Sequence, residues 1–572
     1  MKYIKFLISL NKKSTLVIVI SFLIISTLLE YVFVGAVPIL LNVVFKSNSI
    51  PDFLFFSGTQ DRQILLKNIL IIILILFLLK NIFYFLNQFF VLKYSFSLHN
   101  NLSSLLISKY LHDKYLVFIN SKTSELLRNV KDNTDLVRQL LTNSLTFFSE
   151  ILVFIGLCVI IIYNSSLISI FSIIFIVLFS CVYLYFSRGL SKSWSLKRQI
   201  YESSKIQYLQ ESFYGFKELK LFNKESLFIN NYNEKNINSN LMNLRFNLLY
   251  FFPRVYLEVI GALGVVVLII FNLKQGDKDL FVSVIPLLGL YFVAFVRLLP
   301  SVNRILNTIE TNRYAFPAFK IVYNDLKPTK FKNVTSIKHN VFFKKNIRFK
   351  NIYFTFSKDK NIFNNVNFDI KYGDKIGIVG ESGIGKTTLV NMISGLLEPT
   401  KGTILSDGID IHKNIKSWQS NIGYIYQSTF LMNDTVENNI SFNSKKDDLH
   451  YKKISKIIKL IKLNSLINKL PKGLNTIVGD DGAKLSGGQI QRIGIARALY
   501  FDRKLLICDE ITNSLDNISE NSVINSLKAI DKTIIIISHK RQNLDFCSKI
   551  YEIRKNKLFL IKKKIISIKY VD

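Results

Sequence analysis

The hydrophobic residues of the chain change their spacing near residue 310. Before that point they form long apolar runs, at about 15–43, 66–91, 140–163, 165–187, 249–273 and 281–303. A membrane-spanning helix needs ~20 mostly apolar residues, and each run is long enough. The pattern therefore predicts a helical membrane domain with six transmembrane helices over residues 1–325.

Basic residues in the connections predict the orientation of these helices. The connections at about 92–139 and 188–248 are long and rich in lysine and arginine, whereas those near 44–65, 164 and 274–280 have few. By the positive-inside rule, both termini are expected in the cytoplasm, and the basic N-terminus predicts a retained signal-anchor helix. The long connections are expected to extend the helices into the cytoplasm and to turn in short helices near 115–127 and 213–224.

From about residue 340 the apolar runs become short and of β type, at 349–356, 375–379, 505–508 and 533–537. Glycine turns and helical stretches, such as 454–463 and 489–499, separate them. This alternation predicts a second domain, over residues 340–572, that is α/β with a partly parallel sheet.

The sequence GESGIGKT at 380–387 fits the phosphate-binding pattern GxxxxGK[ST]. It follows one predicted strand and precedes a helical run at 388–397, which is the context that such a loop needs. Glycines let backbone N–H groups surround phosphates at a helix N-terminus. Lys386 is expected to reach the β and γ phosphates, and Thr387 to bind Mg²⁺. The candidate ATP-binding residues here are Gly380, Glu381, Ser382, Gly383, Ile384, Gly385, Lys386, Thr387 and Thr388.

Two carboxylates follow the apolar run at 505–508. Asp509 is expected to hold the Mg²⁺ shell, and Glu510 to orient and deprotonate a water in line with the γ phosphate. Alone, such a pair more often marks an ordinary strand end. With the phosphate loop upstream, it predicts an α/β P-loop NTPase domain after the helical membrane domain.

The segment LSGGQ at 485–489 resembles the signature motif of the ATP-binding-cassette family. With the two motifs above, the chain resembles an ABC exporter half-transporter. The resemblance implies that Gln427 contacts Mg²⁺, that Asp516 belongs to the D-loop, that His539 contacts the γ phosphate as the switch histidine, and that Phe356 stacks on adenine. It implies that the signature contacts ATP bound to the opposite subunit, through Ser486, Gly487, Gly488 and Gln489.

Some positions depart from the usual residues of the family. Tyr426 stands where Pro is common, Asn513 replaces Ser, Lys540 replaces Arg, and Phe356 replaces Tyr. None of these changes removes a catalytic group. The resemblance therefore implies two equivalent, active ATP sites in a homodimer, with ATP and Mg²⁺ as cofactors.

The fifth and sixth apolar runs carry a finer resemblance. The segments PRVYLE at 253–258 and RLLPSVNR at 297–304 resemble the bacterial lipid-linked oligosaccharide flippases of the PglK type. In those flippases basic cavity residues engage the pyrophosphate of the lipid-linked sugar. The planar fork of arginine suits phosphate oxygens, and ionisable groups in a bilayer usually face a cavity or a partner. The candidate substrate residues are Lys80, Arg254, Arg297 and Arg304.

Simpler roles stay open for these residues. Arg254 and Glu258 lie four apart on one helix face and could neutralise each other, and Arg304 could snorkel at the membrane edge. The outer stretch 49–57 either lies flat in the outer interface, as a short external helix does in the resembled flippases, or merely connects two helices.

Composition narrows the possible partners. The 572 residues are 49% hydrophobic, and 74 basic against 40 acidic residues give a net charge of +34. That charge indicates an anionic partner, but the apolar fraction argues against nucleic acid. Positive-inside topology and acidic lipid headgroups account for much of it. The four cysteines form no CxxC pair, which argues against a disulfide framework or a zinc module.

The predicted function is ATP-driven flipping or export of a polyprenyl-pyrophosphate oligosaccharide, or a similar anionic glycolipid, across the bacterial cytoplasmic membrane. ATP binding closes the cassette dimer, and hydrolysis reopens it. The alternatives are another exporter cargo, such as a lipopolysaccharide precursor, peptide or drug, and an ATP-gated channel or regulator. A soluble nucleic-acid ATPase is disfavoured by the six apolar runs.

Overall fold

The structure, a computed structural model of the chain, describes residues 2–45, 62–164, 167–273, 280–327, 340–357, 360–479, 482, 484–512 and 517–563. It divides into two compact units. The first comprises Met1–Asp113 and Phe118–Thr329, and the second comprises Lys114–Val117 and Lys330–Asp572.

The first unit is helical. In the part of the chain that the structure describes, six of its helices have 31 or more residues, and a π-helical turn, Asn129–Asn133, precedes the sixth helix. The helices between residues 2 and 326 are α1 (Lys2–Ser9), α2 (Lys13–Phe45), α3 (Arg62–His112), α4 (Tyr115–Ile119), α5 (Thr123–Arg128), α6 (Thr134–Asn164), α7 (Leu167–Tyr214), α8 (Phe216–Leu221), α9 (Glu225–Leu273) and α10 (Leu280–Leu326). Of these, α4 includes residues 115–117, which belong to the second unit.

The long helices exceed what a membrane requires. Helix α3 has 51 residues, α7 has 48 and α9 has 49. At 1.5 Å per residue each is about 72–77 Å long, whereas the hydrocarbon core takes only ~30 Å. The predicted continuation of the helices beyond the apolar runs is therefore confirmed. Short helices also occur where turns were predicted, as α4 and α5 near 115–127 and α8 near 213–224.

Among the described residues, four helical segments are long and apolar enough to span a membrane. They are Lys13–Ala36, Lys67–His112, Thr123–Ile160 and Ile173–Tyr214, and they contain or overlap the first four predicted runs. The runs predicted at 249–273 and 281–303 fall on α9 and α10, where many side chains lie outside the described part. The outer stretch 49–57 also lies outside it.

One face of α3 forms the main apolar core of this unit. Leu98, Leu102 and Leu106, spaced four apart, are fully buried and pack with Val137 of α6 and Phe319 of α10. That spacing puts side chains on one helix face. Many large apolar side chains on the other faces of α3 are exposed, as on a helix that spans a membrane.

A buried carboxylate joins α7 to α10. Glu310 is fully buried and accepts hydrogen bonds from Ser187 (2.6 Å), Ser191 and Arg313 (2.5 Å). A buried charge is stable only when it is paired and hydrogen-bonded, and here both carboxylate oxygens are satisfied. The cluster therefore fixes the register of the two helices.

The second unit is α/β. It has a four-stranded antiparallel sheet in the order β2-β1-β4-β5 and a six-stranded sheet in the order β10-β9-β3-β8-β7-β6. The strands are β1 (Asn346–Ser357), β2 (Lys360–Lys371), β3 (Lys375–Val379), β4 (Lys401–Ser406), β5 (Ile409–Asp410), β6 (Ile422–Ile425), β7 (Leu505–Asp509), β8 (Thr533–Ile537), β9 (Lys549–Arg554) and β10 (Lys557–Lys563).

Helices cover the six-stranded sheet. Trp418 on α12 is fully buried and donates from its indole N–H to the carbonyl of Ile393 at 2.8 Å. The helices are α11 (Lys386–Ile393), α12 (Ile415–Gln419), α13 (Val436–Ser441), α14 (Asp448–Leu460), α15 (Asn464–Ile467), α16 (Gly487–Tyr500) and α17 (Asn517–Lys528).

The four strand predictions in this unit are confirmed, but both limits of α11 and of α14 differ from those predicted. Strands β3 and β8 have the predicted bounds, and all residues of β7 and β8 are buried, as in a central parallel sheet. Helix α14 begins at Asp448 rather than 454, because Asp447 caps it by accepting from the N–H of His450 at 2.8 Å. Helix α11 ends at Ile393 rather than 397, and Gly395 follows with a left-handed φ of 71°.

Gly402 on β4 is required by a close approach of backbone. Its φ is +92°, and a Cβ there would lie 2.2 Å from the carbonyl oxygen of Asn351 on β1. Gly408 has a similar φ of +85°, but a Cβ there meets nothing within 4 Å. A comparison of substitutions at Gly402 and Gly408 therefore separates the cost of the left-handed backbone conformation from the cost of the steric clash.

We expect Gly402→Ala to destabilise the protein more than Gly408→Ala. Each substitution costs about 1–2 kcal/mol for the left-handed conformation, and the clash at Gly402 adds ~1–3 kcal/mol. Thermal unfolding of the purified full chain measures the difference. Equal losses in Tm would contradict the close approach of β4 to β1.

Candidate functional site

Four parallel strands bring the predicted catalytic motifs to one edge of the sheet. Strand β3 pairs with β8, β8 with β7, and β7 with β6, all in parallel. The carboxyl ends of parallel strands lie at the same edge, where ligands bind in open α/β sheets. The loops that leave this edge carry the phosphate-binding loop after β3, Gln427 after β6, Glu510 after β7 and His539 after β8.

The phosphate-binding loop has the backbone that its glycines permit. Gly380, Gly383 and Gly385 have φ values of 155°, 79° and 113°, a region that other residues rarely adopt. A Cβ on Gly385 would lie 2.6 Å from Cγ2 of Ile362. The loop ends at α11, whose first residue, Lys386, is only 5% exposed. Its Nζ donates to the carbonyls of Gly380 (2.9 Å) and Glu381 (3.2 Å), so the ammonium lies over the loop.

Lys386, Glu510 and His539 form one cluster. Nε2 of His539 is 2.9 Å from Oε1 of Glu510 and 3.1 Å from Nζ of Lys386. The same carboxylate oxygen is 3.6 Å from Nζ. Glu510 has a positive φ of 50°, which is uncommon for a residue with a side chain and typical of functional turns. The structure therefore brings together the predicted base, the switch histidine and the phosphate-binding lysine.

Asp509 lies beside this cluster with its own partners. Burial raises the pKa of its carboxyl group, while hydrogen bonds from Tyr424 and Thr387 act in the opposite direction. Carboxylate and hydroxyl oxygens suit Mg²⁺, which takes few protein ligands and completes its shell with substrate phosphates and water. Asp509 and Thr387 therefore fit the predicted Mg²⁺ site, and the loop of glycines fits the phosphates of ATP.

Tyr424 on β6 is a site residue that the sequence interpretation missed. Its hydroxyl donates to Oδ2 of Asp509 at 3.1 Å, and its ring stacks on Tyr426 with centroids 4.1 Å apart. The two tyrosines are two residues apart, as same-face neighbours of a strand are. This spacing of two tyrosines is the pattern in the sequence from which their position on one face of the strand could have been predicted. Burial raises the pKa of Tyr424, with Asp509 adding to the effect, so the hydroxyl keeps its proton.

The signature segment begins α16. Ser486 caps the helix, and its N–H donates to Oε1 of Gln489 at 2.9 Å, in a capping box. Gly487 and Gly488 form the first turn. Gln491, buried and also missed from the sequence, donates to the backbone carbonyls of Gln427 and of Tyr426 (3.3 Å). Helix α16 is therefore tied to the loop that carries Gln427.

Several other predicted ATP-binding residues are exposed or lie outside the described part of the chain. Phe356 is the last residue but one of β1, is 44% exposed, and lies edge-on to Phe354 at 4.9 Å between ring centroids. Gln427 is exposed, as are Glu381, Ser382 and Thr387. Asp516 lies outside the described residues, together with Asn513. Their assigned roles stay predictions.

The candidate substrate residues of the first unit form ion pairs with carboxylates, wherever the structure describes their side chains. Nζ of Lys80 is 3.8 Å from Glu30, and Arg254 bonds Glu258 at 3.0 Å, one helical turn on. Arg254 is also 70% exposed, so the ion pairing that its spacing predicted is present. Arg297 lies on α10, and its side chain is outside the described part.

Arg304 lines a polar cavity of about 220 Å³ within the first unit. Its Nη1 is 2.7 Å from Oε1 of Glu150, whose other oxygen accepts from Ser301 at 2.7 Å. Tyr84, Gln88 and Ser149 also line the cavity, among others. Arg304 thus faces a cavity rather than only the membrane edge, but a buried carboxylate already neutralises it.

Comparisons with known sequence families match both regions of the chain. Residues 16–275 match the family described as ABC transporter transmembrane region, and residues 363–513 match the family described as ABC transporter. A solved bacterial Atm1-family ABC exporter with ATP bound has the same fold, with a TM-score of 0.80 over 96% of this chain and 95% of that one, at 19% identity.

Curated relatives share a smaller part of the chain. An ATP-dependent lipid A-core flippase of Desulfotalea psychrophila is 38% identical over 219 residues, which are 38% of each protein. One of Syntrophus aciditrophicus is 32% identical over 360 residues, 61% of this chain and 58% of that protein. The alpha-hemolysin translocation ATP-binding protein of Escherichia coli is 39% identical over 217 residues, 37% of this chain and 30% of that protein. The chain thus spans about a third to three-fifths of the length of these relatives.

Fold, site and family matches define a class. The chain belongs to the ABC transporters, with a helical transmembrane domain followed by an ATP-binding cassette. This order of regions is that of an exporter half-transporter, and the predicted fold class is confirmed.

We expect Tyr424→Phe to raise the Mg²⁺ concentration needed for half-maximal ATP turnover by about 10-fold, because removing an outer-shell hydrogen bond weakens metal binding by that order. Steady-state ATP turnover titrated with Mg²⁺ measures it. Tyr426→Phe, which retains the stacking and the Tyr424–Asp509 bond, is the matched control. An unchanged Mg²⁺ dependence in Tyr424→Phe would mean that this bond does not position Asp509.

Proposed function

We propose that the protein is an ATP-driven membrane transporter that hydrolyses ATP at the edge of the cassette sheet. The observation that carries this proposal is the cluster of Lys386, Glu510 and His539, with atoms 2.9–3.6 Å apart. The cluster combines a cation for phosphate, a carboxylate base and an imidazole at the end of three adjacent parallel strands. That combination serves phosphoryl transfer to water.

Each side chain has a distinct role in the proposed reaction. Glu510 orients the attacking water and accepts its proton, Lys386 neutralises charge on the phosphates, and His539 contacts the γ phosphate while holding Glu510 by a hydrogen bond. Asp509, Thr387 and Gln427 would hold Mg²⁺, which neutralises phosphate charge when bound. Phe356 would stack on adenine.

The proposed active form is a homodimer. The signature residues at the start of α16 contribute a hydroxyl and backbone amides, which suit an anion, and by resemblance they contact ATP bound to the opposite subunit. By the same resemblance, Asp516 belongs to the D-loop. A half-transporter carries one such set, so two copies supply two complete sites. The family match to both regions supports this arrangement.

Replacing the proposed base should abolish turnover without abolishing binding. We expect Glu510→Gln to reduce ATP hydrolysis at least ~100-fold, because general-base catalysis contributes about 10²–10⁴-fold. Nucleotide binding by the purified full chain should persist. Asp448→Asn, an acid-to-amide change at an exposed position of α14, is the control. Normal turnover in Glu510→Gln would rule out the proposed site.

For the cargo, we propose an amphipathic lipid with a phosphorylated head, and specifically a polyprenyl-pyrophosphate oligosaccharide. Three features support it: the PRVYLE and RLLPSVNR segments, the relatives named lipid A-core flippases, and the polar cavity at Arg304. Among the candidate residues Lys80, Arg254, Arg297 and Arg304, the cavity favours Arg304. A phosphorylated head would compete with Glu150 for its guanidinium group.

The proposed location is the bacterial cytoplasmic membrane, with both termini and the cassette in the cytoplasm. The basic connections support this orientation by the positive-inside rule. We propose domain limits of 1–325 for the membrane domain and 340–572 for the cassette.

Transport by proteoliposomes tests the cargo. Arg304→Ala alone would strand the buried Glu150, so the informative variant is Arg304→Ala with Glu150→Gln, which keeps the cavity neutral. We expect this variant and Arg297→Ala to lower ATP-dependent reorientation of a lipid-linked oligosaccharide by at least ~10-fold, since a hydrogen bond to a charged group is worth about 1.5–3 kcal/mol. Arg254→Ala should have a smaller effect, because its exposed side chain pairs with Glu258.

The outcomes separate the candidate cargoes. Transport that persists in both Arg297→Ala and the double variant would contradict the cargo proposal, although the ATPase proposal would stand. Reorientation of a lipid A-core molecule but not of a polyprenyl-pyrophosphate oligosaccharide would assign the other phosphorylated lipid.

A further inference from the structure

A buried carboxylate outside the assigned site connects the two loops that carry Glu510 and His539. Glu520, on the first turn of α17, is 5% exposed. Its Oε2 accepts from Nζ of Lys540 at 2.6 Å, and its Oε1 accepts from Nδ2 of Asn543 at 2.6 Å. None of these three residues belongs to the motifs that predict ATP binding or catalysis.

The partners of Glu520 lie next to the proposed catalytic residues in the chain. Lys540 directly follows His539, and Asn543 lies in the same loop after β8. Nδ2 of Asn543 also reaches Oγ1 of Thr512 at 3.2 Å, and Thr512 is two residues after Glu510. One carboxylate therefore connects the loop after β8 with the segment after β7.

Hydrogen bonds between the Ser538 side chain and the backbone of Lys540 further order the loop after β8. Oγ of Ser538 accepts from the N–H of Lys540 at 3.1 Å and donates to its carbonyl at 3.3 Å. The N–H of Glu510 donates to the carbonyl of Ile537 at 3.2 Å. His539 is thus held on one side by Ser538 and on the other by the anchored Lys540.

The charge on Glu520 is maintained despite burial. Burial disfavours the ionised carboxyl, but hydrogen bonds from Lys540, Asn543 and Thr512 outweigh it, so the pKa of Glu520 lies below its ordinary value. A buried charge with three donors has one low-energy geometry, because losing any donor leaves a costly unsatisfied oxygen. Such a cluster fixes orientation, which an apolar contact of the same size would not.

We propose that Glu520 is a positioning residue for ATP hydrolysis: by holding Lys540 and Asn543, it sets His539 against the carboxylate of Glu510. The inference rests on the proposed ATPase function and deepens it. It also accounts for Lys540 at the position where the family usually has Arg, because either cation can pair with Glu520. Glu520 acts through His539 and touches no reacting atom.

The test uses the purified full chain and measures ATP turnover, the KM for ATP and the thermal unfolding midpoint. The variant Glu520→Gln keeps the shape of the side chain and removes its charge. We expect it to lower kcat about 10-fold while KM for ATP changes by less than about twofold. One hydrogen bond to a charged group is worth at least about 1.4 kcal/mol, which corresponds to a factor of ten. Lys540→Met should lower kcat similarly, and Lys540→Arg should recover most of the loss.

A matched ion pair controls for general charge effects. Asp502 and Lys532 pair at 2.5 Å on the same unit, but Asp502 is 79% exposed, and exposed pairs contribute little. Asp502→Asn should leave kcat and KM unchanged. If Glu520→Gln fails to fold, Lys540→Met carries the test, because the Lys540 side chain is half exposed.

A double variant separates positioning from simple stabilisation. In a His539→Ala background, Glu520→Gln should cause no further loss of kcat, because the two residues act on the same step. Full additivity of the two losses, an unchanged kcat in Glu520→Gln, or a loss of kcat matched by a fall in Tm would each overturn the proposal. A wild-type chain without ATP turnover would instead refute the proposed function on which the inference rests.

Discussion

The parallel register of β3, β8, β7 and β6 is the constraint on which the site depends. Parallel pairing aligns the carboxyl ends of these strands at one edge of the sheet. Residues more than 120 positions apart in sequence, such as Lys386 and Glu510, meet there because each directly follows one of these strands or its loop. Complete burial of β7 and β8 makes the register specific, because a slip by one residue would turn polar groups such as Asp509 to the other face. The chemistry is therefore positioned by the apolar core beneath it.

Electrostatic pairing governs both units, but with different results. At the sheet edge, Lys386, Glu510 and His539 share contacts within one open cluster that faces the phosphate-binding loop. In the membrane domain, Arg304 and Glu150 neutralise each other beside a cavity, and Arg254 does so with Glu258 on an exposed face. Isolated charges are costly in a bilayer. Under the proposed function, an anionic head that binds at Arg304 would have to displace Glu150 from the guanidinium group.

Local patterns in the sequence were enough to predict β1, β3, β7 and β8, the phosphate-binding loop and the carboxylate of Glu510 at a strand end, because each depends on short-range periodicity or on glycine. The other six described strands of the second unit were not predicted. The start of α14 was not predictable in this way, since the cap at Asp447 determines it. Tyr424 and Gln491 were missed because their roles depend on partners some 60–85 residues away. Distance in sequence also explains the ion pairs. Arg254 and Glu258 are four residues apart on one helix, so their pairing was predictable, whereas Arg304 and Glu150 lie on different helices, so their pairing was not.

The length of the helices has a mechanical consequence. Helix α7, with 48 residues, is a stiff rod about 72 Å long, so a tilt of about 5° displaces its far end by roughly 6 Å. Glu310 of α10 accepts hydrogen bonds from Ser187 and Ser191 of α7 on its two oxygens, and these bonds oppose sliding of the two helices past each other. A small rotation at one end of the pair is thereby transmitted to the other end as a displacement larger than the diameter of a phosphate group, with no need for any helix to bend.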